Sequence, residues 1–583
     1  MTRTLDLAIR NGTLIDGTGN PAFRADIGVR DGRIVSIGDD VGPARQEVNA
    51  CGLNVAPGFI DVHTHYDAQV FWDPTLSPSS NHGVTTVFGG NCGFSIAPLS
   101  GKPEDATYLM RMLSRVEGMP LESLEAGVPW SWTSFADYLA EVERGVAVNA
   151  GFLVGHSALR RAVMGDRAIG YTASEDEITA MCDLLDASLQ SGGLGFSTTL
   201  SATHSDAEGQ PVPSRHSSDT ELMALAAVVR KHEGTWLEMV SDTGTSFKLE
   251  NVERMTQMSL AAERSLNWNV LSPNSRYREI YNNQLAASDY AAGRGAKVIA
   301  LVAPQAIGLV LTFEAGMVID AMNGWGPVMA LPVPERIAKL SDPEIRKELS
   351  HSAHQASGPI GDLADWSSWT IVETEREENK ALEGQTVGAL ASRLNKAPLD
   401  AMLDLAIEED LKTRFMPNLS GADHESWQMR GAAWRDDRAI IGASDAGAHL
   451  NMIDTFAFST QVLQQGVRER RLLELEEAVH RMTDLPARAF GLRDRGRLAE
   501  GYYADIVVFD PDTIACGPLH TRNDLPAGAG RLYCDAIGVH HVLVNGQLIV
   551  TEGHSTGALP GTVLRSGRDT RTVPIASPLA SAA

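Results

Sequence analysis

Ala56-Pro57-Gly58-Phe59-Ile60-Asp61-Val62-His63-Thr64-His65 is a short apolar run that ends in two histidines one residue apart. Such a run reads as a β-strand. Strand side chains alternate faces, so His63 and His65 point the same way and can meet one metal ion. Imidazole suits zinc and its first-row neighbours. Far downstream, the apolar run Ala439-Ile440-Ile441-Gly442 delivers Ser444-Asp445-Ala446-Gly447-Ala448-His449, with an aspartate just past the strand. Parallel barrels build their active sites at strand C-termini, so the histidine pair and Asp445 are read together as metal ligands. The competing readings are hydrogen-bonded core histidines and an aspartate that merely caps the next turn.

Between these two segments, apolar runs alternate with helical stretches. Candidate strands are 59–62, 85–88, 150–154, 193–196, 236–240, 267–271, 298–302 and 439–442, with helices such as 175–190 and 219–232 between them. Eight strand–helix units in succession predict an α/β fold, a (β/α)8 TIM barrel over residues 56–489. That span far exceeds the roughly 250 residues typical of the barrel, so insertions are expected. One is residues 303–395, rich in Pro, Trp and charge and read as a lid over the barrel mouth; another is 100–146. Residues 1–55 and 490–583 hold short strands and tight turns, with hairpin signals at Asp31-Gly32 and Asn545-Gly546. They predict a small β-sandwich domain built from both termini. The Ala/Ser/Pro-rich end, 576–583, is expected to be disordered.

The composition narrows the partners. The chain has 583 residues, 43% hydrophobic and 21% charged, and a net charge of −25. Acidity on this scale disfavours nucleic acid and anionic membrane, because both need a basic surface. Five scattered cysteines (Cys51, Cys92, Cys182, Cys516, Cys534) form no CxxC pair, which favours a reducing compartment. With no apolar leader and no run of about 18 apolar residues, the expected location is cytoplasmic. The expected partner is a small molecule, and assembly into a homo-oligomer is left open.

Further candidates lie at the ends of the other strands. Cys92, in Gly89-Gly90-Asn91-Cys92-Gly93, can approach a bound ion because glycines let the backbone turn sharply; its other reading is a small buried apolar residue. His156 ends the third strand and is a candidate to bind a substrate oxygen as a catalytic group. Arg160, His204, Arg215, Arg276 and His449 are weaker candidates for substrate binding. The sequence contains neither a GxSxG elbow nor a Walker motif.

At this point the chain resembles the amidohydrolase superfamily, and within it the N-acyl-D-amino-acid deacylases (D-aminoacylases). The resemblance rests on Asn11–Gly17, Pro57–His65, Gly83–Val87, Gly90-Asn91-Cys92-Gly93, Gly155–Arg160, Ser444-Asp445, Ala504–Phe509 and Val544-Asn545-Gly546. It implies that Cys92 is a metal ligand, since D-aminoacylases place a cysteine where most amidohydrolases bridge two metals with a carboxylated lysine. The resemblance also implies a histidine on each of the fifth and sixth strands, followed by a lysine that grips the substrate carboxylate. Those strands read Thr235-Trp236-Leu237-Glu238-Met239-Val240 and Leu266-Asn267-Trp268-Asn269-Val270-Leu271. Neither has a histidine; Glu238 and Asn269 are nearest in register, and Leu271 takes the lysine's place.

The expectation is therefore a metal-dependent hydrolase of non-peptide amide C–N bonds, deacylase-like, that uses metal-activated water. One zinc ion is favoured, with two as the alternative. His63, His65, Cys92 and Asp445 hold the metal; Asp445 carries the proton from water to the leaving nitrogen, and His156 helps the metal stabilise the oxyanion. A cyclic-amide or ester hydrolase on the same scaffold and a non-catalytic binding or assembly barrel are the other readings.

Overall fold

The computed structural model describes residues 4–579 except 243, 307, 317, 356–358 and 420. Its middle is a mixed α/β array. Three parallel strands, Phe59–Asp61, Val84–Gly89 and Asn149–Phe152, form one sheet. A second parallel sheet runs in chain order through Val154–Gly155, Gly195–Thr199, Trp236–Val240, Leu266–Leu271, Val298–Val302 and Ala439–Ile441. The sheets meet at Leu153, whose N–H donates to Gly89 O (2.9 Å). At the far edges His65 N–H donates to Ala446 O (2.8 Å), and Asp445 N–H to His63 O (3.2 Å). Ile60, Phe88, Leu153, Leu194, Trp236, Val270, Leu301 and Ile440, drawn in turn from each strand segment, pack into one cluster.

Six strands lie within one residue of their predicted bounds, and the third, 150–154, is broken at Leu153 into Asn149–Phe152 and Val154–Gly155. The fourth is Gly195–Thr199 rather than 193–196, because Gly193 N–H still closes the preceding helix by donating to Ser188 O (3.1 Å). Helices Glu175–Gln190 and Asp219–Val229 start where Ser174 and Ser218 accept from the N–H groups of Glu177 and Glu221.

Both termini contribute to a nine-stranded sheet, in which Ile506–Phe509 pairs antiparallel with Asn54–Pro57. The Asn545-Gly546 turn docks this sheet on the parallel strands. Asn545 Nδ2 donates to Asn149 Oδ1 (3.0 Å), and Asn149 Nδ2 donates to Asp505 Oδ2 (3.1 Å), which is paired with Arg495. Residues 560–579 leave the sheet and strap the parallel strands, with Leu564 N–H donating to Ala150 O (2.8 Å). The expectation of a disordered end is corrected as far as Leu579, which is buried, while Lys297 Nζ donates to Ser577 O (2.7 Å). Residues 580–583 lie outside the described residues.

The insertion has its own core, formed by Phe313, Trp325, Trp366, Trp369 and Phe415. It extends past residue 395 because helix Pro398–Glu408 buries Leu399, Met402 and Leu403 in that core. Met452 and Ile453, from the loop that carries Asp445, join it.

Candidate metal centre

His63, His65 and Cys92 are buried together. Cys92 Sγ lies 3.3 Å from His63 Nε2 and 3.7 Å from His65 Nε2. Asp445 Oδ1 stands 3.1 Å and 3.8 Å from the same two nitrogens. Ligand atoms arranged tetrahedrally around zinc at ordinary bond lengths are ~3.3–3.6 Å apart, so the spacing suits such an ion.

Local backbone geometry builds this arrangement. The loop after Val84–Gly89 turns through three left-handed residues, Gly90 (φ 73°), Cys92 (φ 57°) and Gly93 (φ 75°). Only glycine fits at position 90, where a Cβ would lie 2.2 Å from Leu153 O. Asn91 Nδ2 donates to Thr64 O (3.1 Å) and Phe88 O (2.8 Å), tying the thiol loop to the histidine strand. On the other side Ser444 Oγ donates to Asp61 Oδ2 (2.6 Å), and Asp445 has a left-handed backbone (φ 50°).

Behind the imidazoles stand carboxyl groups. Glu238 Oε1 is 4.0 Å from His63 Nδ1, and its Oε2 accepts from Cys92 N–H (2.8 Å). Glu117 Oε1 is 3.7 Å from His65 Nδ1, and its Oε2 is 3.8 Å from His449 Nε2. Asn269 Nδ2 lies 3.3 Å from His63 Nε2. Burial pushes the Asp61, Asp67 and Glu238 carboxyls up to about 7 and Glu117 well above its usual range. At Asp445 burial acts in the same direction, but hydrogen bonding and attraction from His63, then His65 and His449, outweigh it and hold the carboxyl low. Among the described residues no lysine or arginine pairs with any of these acids. His63 Nδ1, His65 Nδ1 and Glu238 Oε1 have no hydrogen-bond partner. Buried acids without a counter-charge are costly, and a divalent ion among these donors supplies one.

The remaining predicted residues divide. His204 Nδ1 bonds Thr199 Oγ1 (2.7 Å), and its ring packs on Phe94. His449, also left-handed (φ 48°), faces Glu117, and its Nδ1 is buried without a partner. Arg215 Nη1 donates to His204 O (2.9 Å). His156 is not brought into the cluster: Nδ1 bonds Thr198 Oγ1 (2.9 Å) and Nε2 bonds Glu221 Oε1 (2.8 Å). Arg160 Nη1 donates to both oxygens of Glu221 (2.5 Å each), so it too is committed. Arg276 is largely exposed and pairs with Asp362 (2.8 Å).

Sequence reading missed Glu117 and Glu221. Glu117 sits in what reads as an insertion, and no spacing signals it. Glu221 lies three residues after Ser218, which reads as a capping box; its side chain instead turns to His156 and Arg160.

A model described as "Amidohydrolase family" matches residues 46–550. The chain belongs to the amidohydrolase family. This amidohydrolase is 30% identical over 566 residues to an N-acyl-D-aspartate deacylase of Alcaligenes xylosoxydans xylosoxydans, covering 96% of this chain and 95% of that one. Among solved structures it is similar to N-acyl-D-glutamate deacylase from Bordetella bronchiseptica, solved with zinc and a phosphonate inhibitor that mimics the tetrahedral intermediate. That match has a TM-score of 0.63 and 28% identity, covering 97% of this chain and 100% of that one. It is likewise similar to a D-aminoacylase solved in a study of its binuclear metal centre, with one-metal activation and second-metal attenuation. There the TM-score is 0.64 and identity 26%, covering 96% of this chain and 100% of that one. This amidohydrolase is a metal-dependent hydrolase of carbon–nitrogen bonds other than peptide bonds, of the deacylase kind. None of its described helices is long and apolar enough to cross a membrane.

Proposed function

We propose that this amidohydrolase removes the acyl group from a linear N-acyl amide, as an N-acyl-amino-acid deacylase does, on one zinc ion. His63, His65 and Asp445 hold the ion, with Cys92 on or beside it. The observation that carries this reading is the convergence of both Nε2 atoms, the thiol and the Asp445 carboxylate within 3.1–3.8 Å. The scaffold is read as a closed (β/α)8 barrel over residues 56–489. The hydrogen bonds between the segments that follow the first and last strands, and the cluster fed by every strand, support that closure. Within residues 1–55 and 490–583 the described strands are read as the β-sandwich domain, apart from 560–579, which lie on the parallel strands, and the insertion is read as the lid.

When bound, the ion polarises the scissile carbonyl and lowers the pKa of water. Asp445 accepts a proton from the attacking water at Oδ2 and delivers it to the leaving nitrogen. Glu238 and Glu117 stand behind Nδ1 of His63 and His65 and act on the rings by charge rather than by a hydrogen bond. His204 and His449 supply donors to the substrate. His156 and Arg160 take no part, because Glu221 holds both. With Leu271 buried where the resemblance implies a lysine, the substrate class includes neutral acyl amides.

A second reading, with two ions, is favoured by Glu238 and Asn269, whose Oε1 and Oδ1 are buried without partners beside Cys92 and His63. Elemental analysis of the wild type and Cys92→Ala separates the two. About one zinc per chain, kept by the variant, supports a mononuclear His63/His65/Asp445 site. Two ions, falling on mutation, establish the second reading. A panel of N-acyl amino acids, neutral acyl amides, hydantoins and esters then tests the bond. Preference for the cyclic amides or esters overturns the linear-amide assignment.

A further inference from the structure

Above the Leu266–Leu271 strand lies a cavity of about 280 Å³, between helices Arg278–Ala292 and His424–Arg435 and beneath the insertion. On water's ~30 Å³ share of liquid volume it holds about nine waters. Its walls are mostly apolar: Val270, Pro273, Ile280, Tyr281, Leu309 and Leu419.

One wall is cationic. Arg430 lines the cavity and is 2% exposed. Its contacts are long and to neutral oxygens: Nη1 to Gly421 O (3.4 Å), and Nη2 to Pro273 O (3.4 Å) and Gly421 O (3.5 Å). Nε has no hydrogen-bond partner. Among the described residues no carboxylate pairs with Arg430. Asp423 is taken by Ser426 and Ser275, and Asp362, also on the cavity wall, pairs with Arg276. Arg430 packs instead on Trp427 (4.6 Å), whose ring also takes Arg470 (4.5 Å), so a second positive charge stands nearby. Burial pushes the guanidinium down to about 9, which leaves it charged at neutral pH. Arg264 and Arg336 are likewise buried without an acid partner among the described residues, but each has close carbonyl oxygens, 2.8 Å to His232 O and 2.6 Å to Phe313 O. Arg430 has only long contacts, and burying a charge so poorly satisfied is costly. The cavity holds a second unpartnered atom, Gln305 Oε1, whose amide nitrogen donates to Asp454.

We infer that this cavity is a binding site for a small carboxylate with an apolar body, seated with its carboxylate on Arg430. A guanidinium recognises carboxylate through paired N–H donors, and the apolar walls take the alkyl or aryl part. Gln305 Oε1 accepts from any N–H or O–H the ligand carries. The ligand is the missing counter-charge. The inference does not depend on which bond the metal centre cleaves.

The test is titration calorimetry of hexanoate into the metal-loaded protein, with hexanamide as the neutral control. Expected are one saturable site per chain, binding weakened at least about tenfold by Arg430→Gln, loss of binding in Ile280→Trp, which fills the cavity, and much weaker binding of hexanamide. Equal hexanoate binding by the wild type and both variants places the acid at the metal centre and overturns the inference. So does absence of saturable binding, or hexanamide binding as tightly as hexanoate. Should Arg430→Gln fail to fold, Ile280→Trp with the hexanamide control decides alone.

Discussion

Glu117 Oε1 stands 3.7 Å from His65 Nδ1, behind the ring whose other nitrogen faces Cys92 and Asp445. Glu238 stands in the same relation to His63, at 4.0 Å. Each imidazole of the candidate centre therefore has a carboxyl behind its Nδ1, beyond hydrogen-bond reach but near enough to favour a proton there and leave Nε2 for an ion. Glu117→Gln removes the ionisable acid and keeps the shape. Zinc affinity, measured by chelator competition, is expected to fall by about 10- to 100-fold. Unchanged affinity would show that Glu117 only fills space.

Asp445→Ala removes the proposed proton carrier and one ligand. Turnover is expected to drop by at least about 10²-fold, while circular dichroism and melting stay near wild type. Activity retained at saturating metal would refute the proton-carrier role.

Glu221 clasps His156 and Arg160 in a fully buried triad. Glu221→Gln leaves a buried guanidinium short of its partner and is expected to cost about 3–5 kcal/mol, with metal content unchanged. Burial opposes the Glu221 charge, but the His156 hydrogen bond and charge, then Arg160, hold the carboxyl below its usual range. A carboxyl lowered in the folded state stabilises fully above its unfolded pKa, and the contribution fades as pH falls through the folded value. Melting temperature should therefore decline more gently in the variant than in the wild type as pH drops below the ordinary carboxylate range. Parallel declines would mean the triad does not titrate with folding.

Gly90→Ala would place a Cβ 2.2 Å from Leu153 O at a residue with φ 73°. The left-handed conformation alone costs an alanine ~1–2 kcal/mol, and the clash forces the loop to move. Cys92 is two residues away, so the variant should melt lower, and its thiol should react faster with a thiol reagent in the metal-free protein. Wild-type reactivity and stability would count against a rigid thiol loop.

Much of this arrangement can be read in the sequence, for identifiable reasons. His63 and His65 are legible because strand period alone puts them on one side, and Cys92 because glycines flank it. Asp445 is legible because an apolar run precedes it. Glu117 is not, since it approaches His65 through tertiary packing of a loop that carries no periodic signal. Glu221 hides inside a helix-start pattern that explains it locally. The rest of the scaffold divides in the same way. Apolar runs mark the strands, whereas the strap at 560–579 gives no periodic signal, because its backbone hydrogen bonds go to distant residues such as Ala150.

The bond from Ser444 to Asp61 joins residues 383 positions apart, and His65 donates to Ala446 across the same gap. During synthesis the histidine strand thus emerges long before the segment that completes its surroundings. Until then His63 and His65 lie at an open sheet edge, the kind of surface that invites mispairing. A ribosome stalled between Cys92 and Asp445 would carry a chain with three of the four candidate ligands and no Asp445. The hydrolase can become active only late in its own translation.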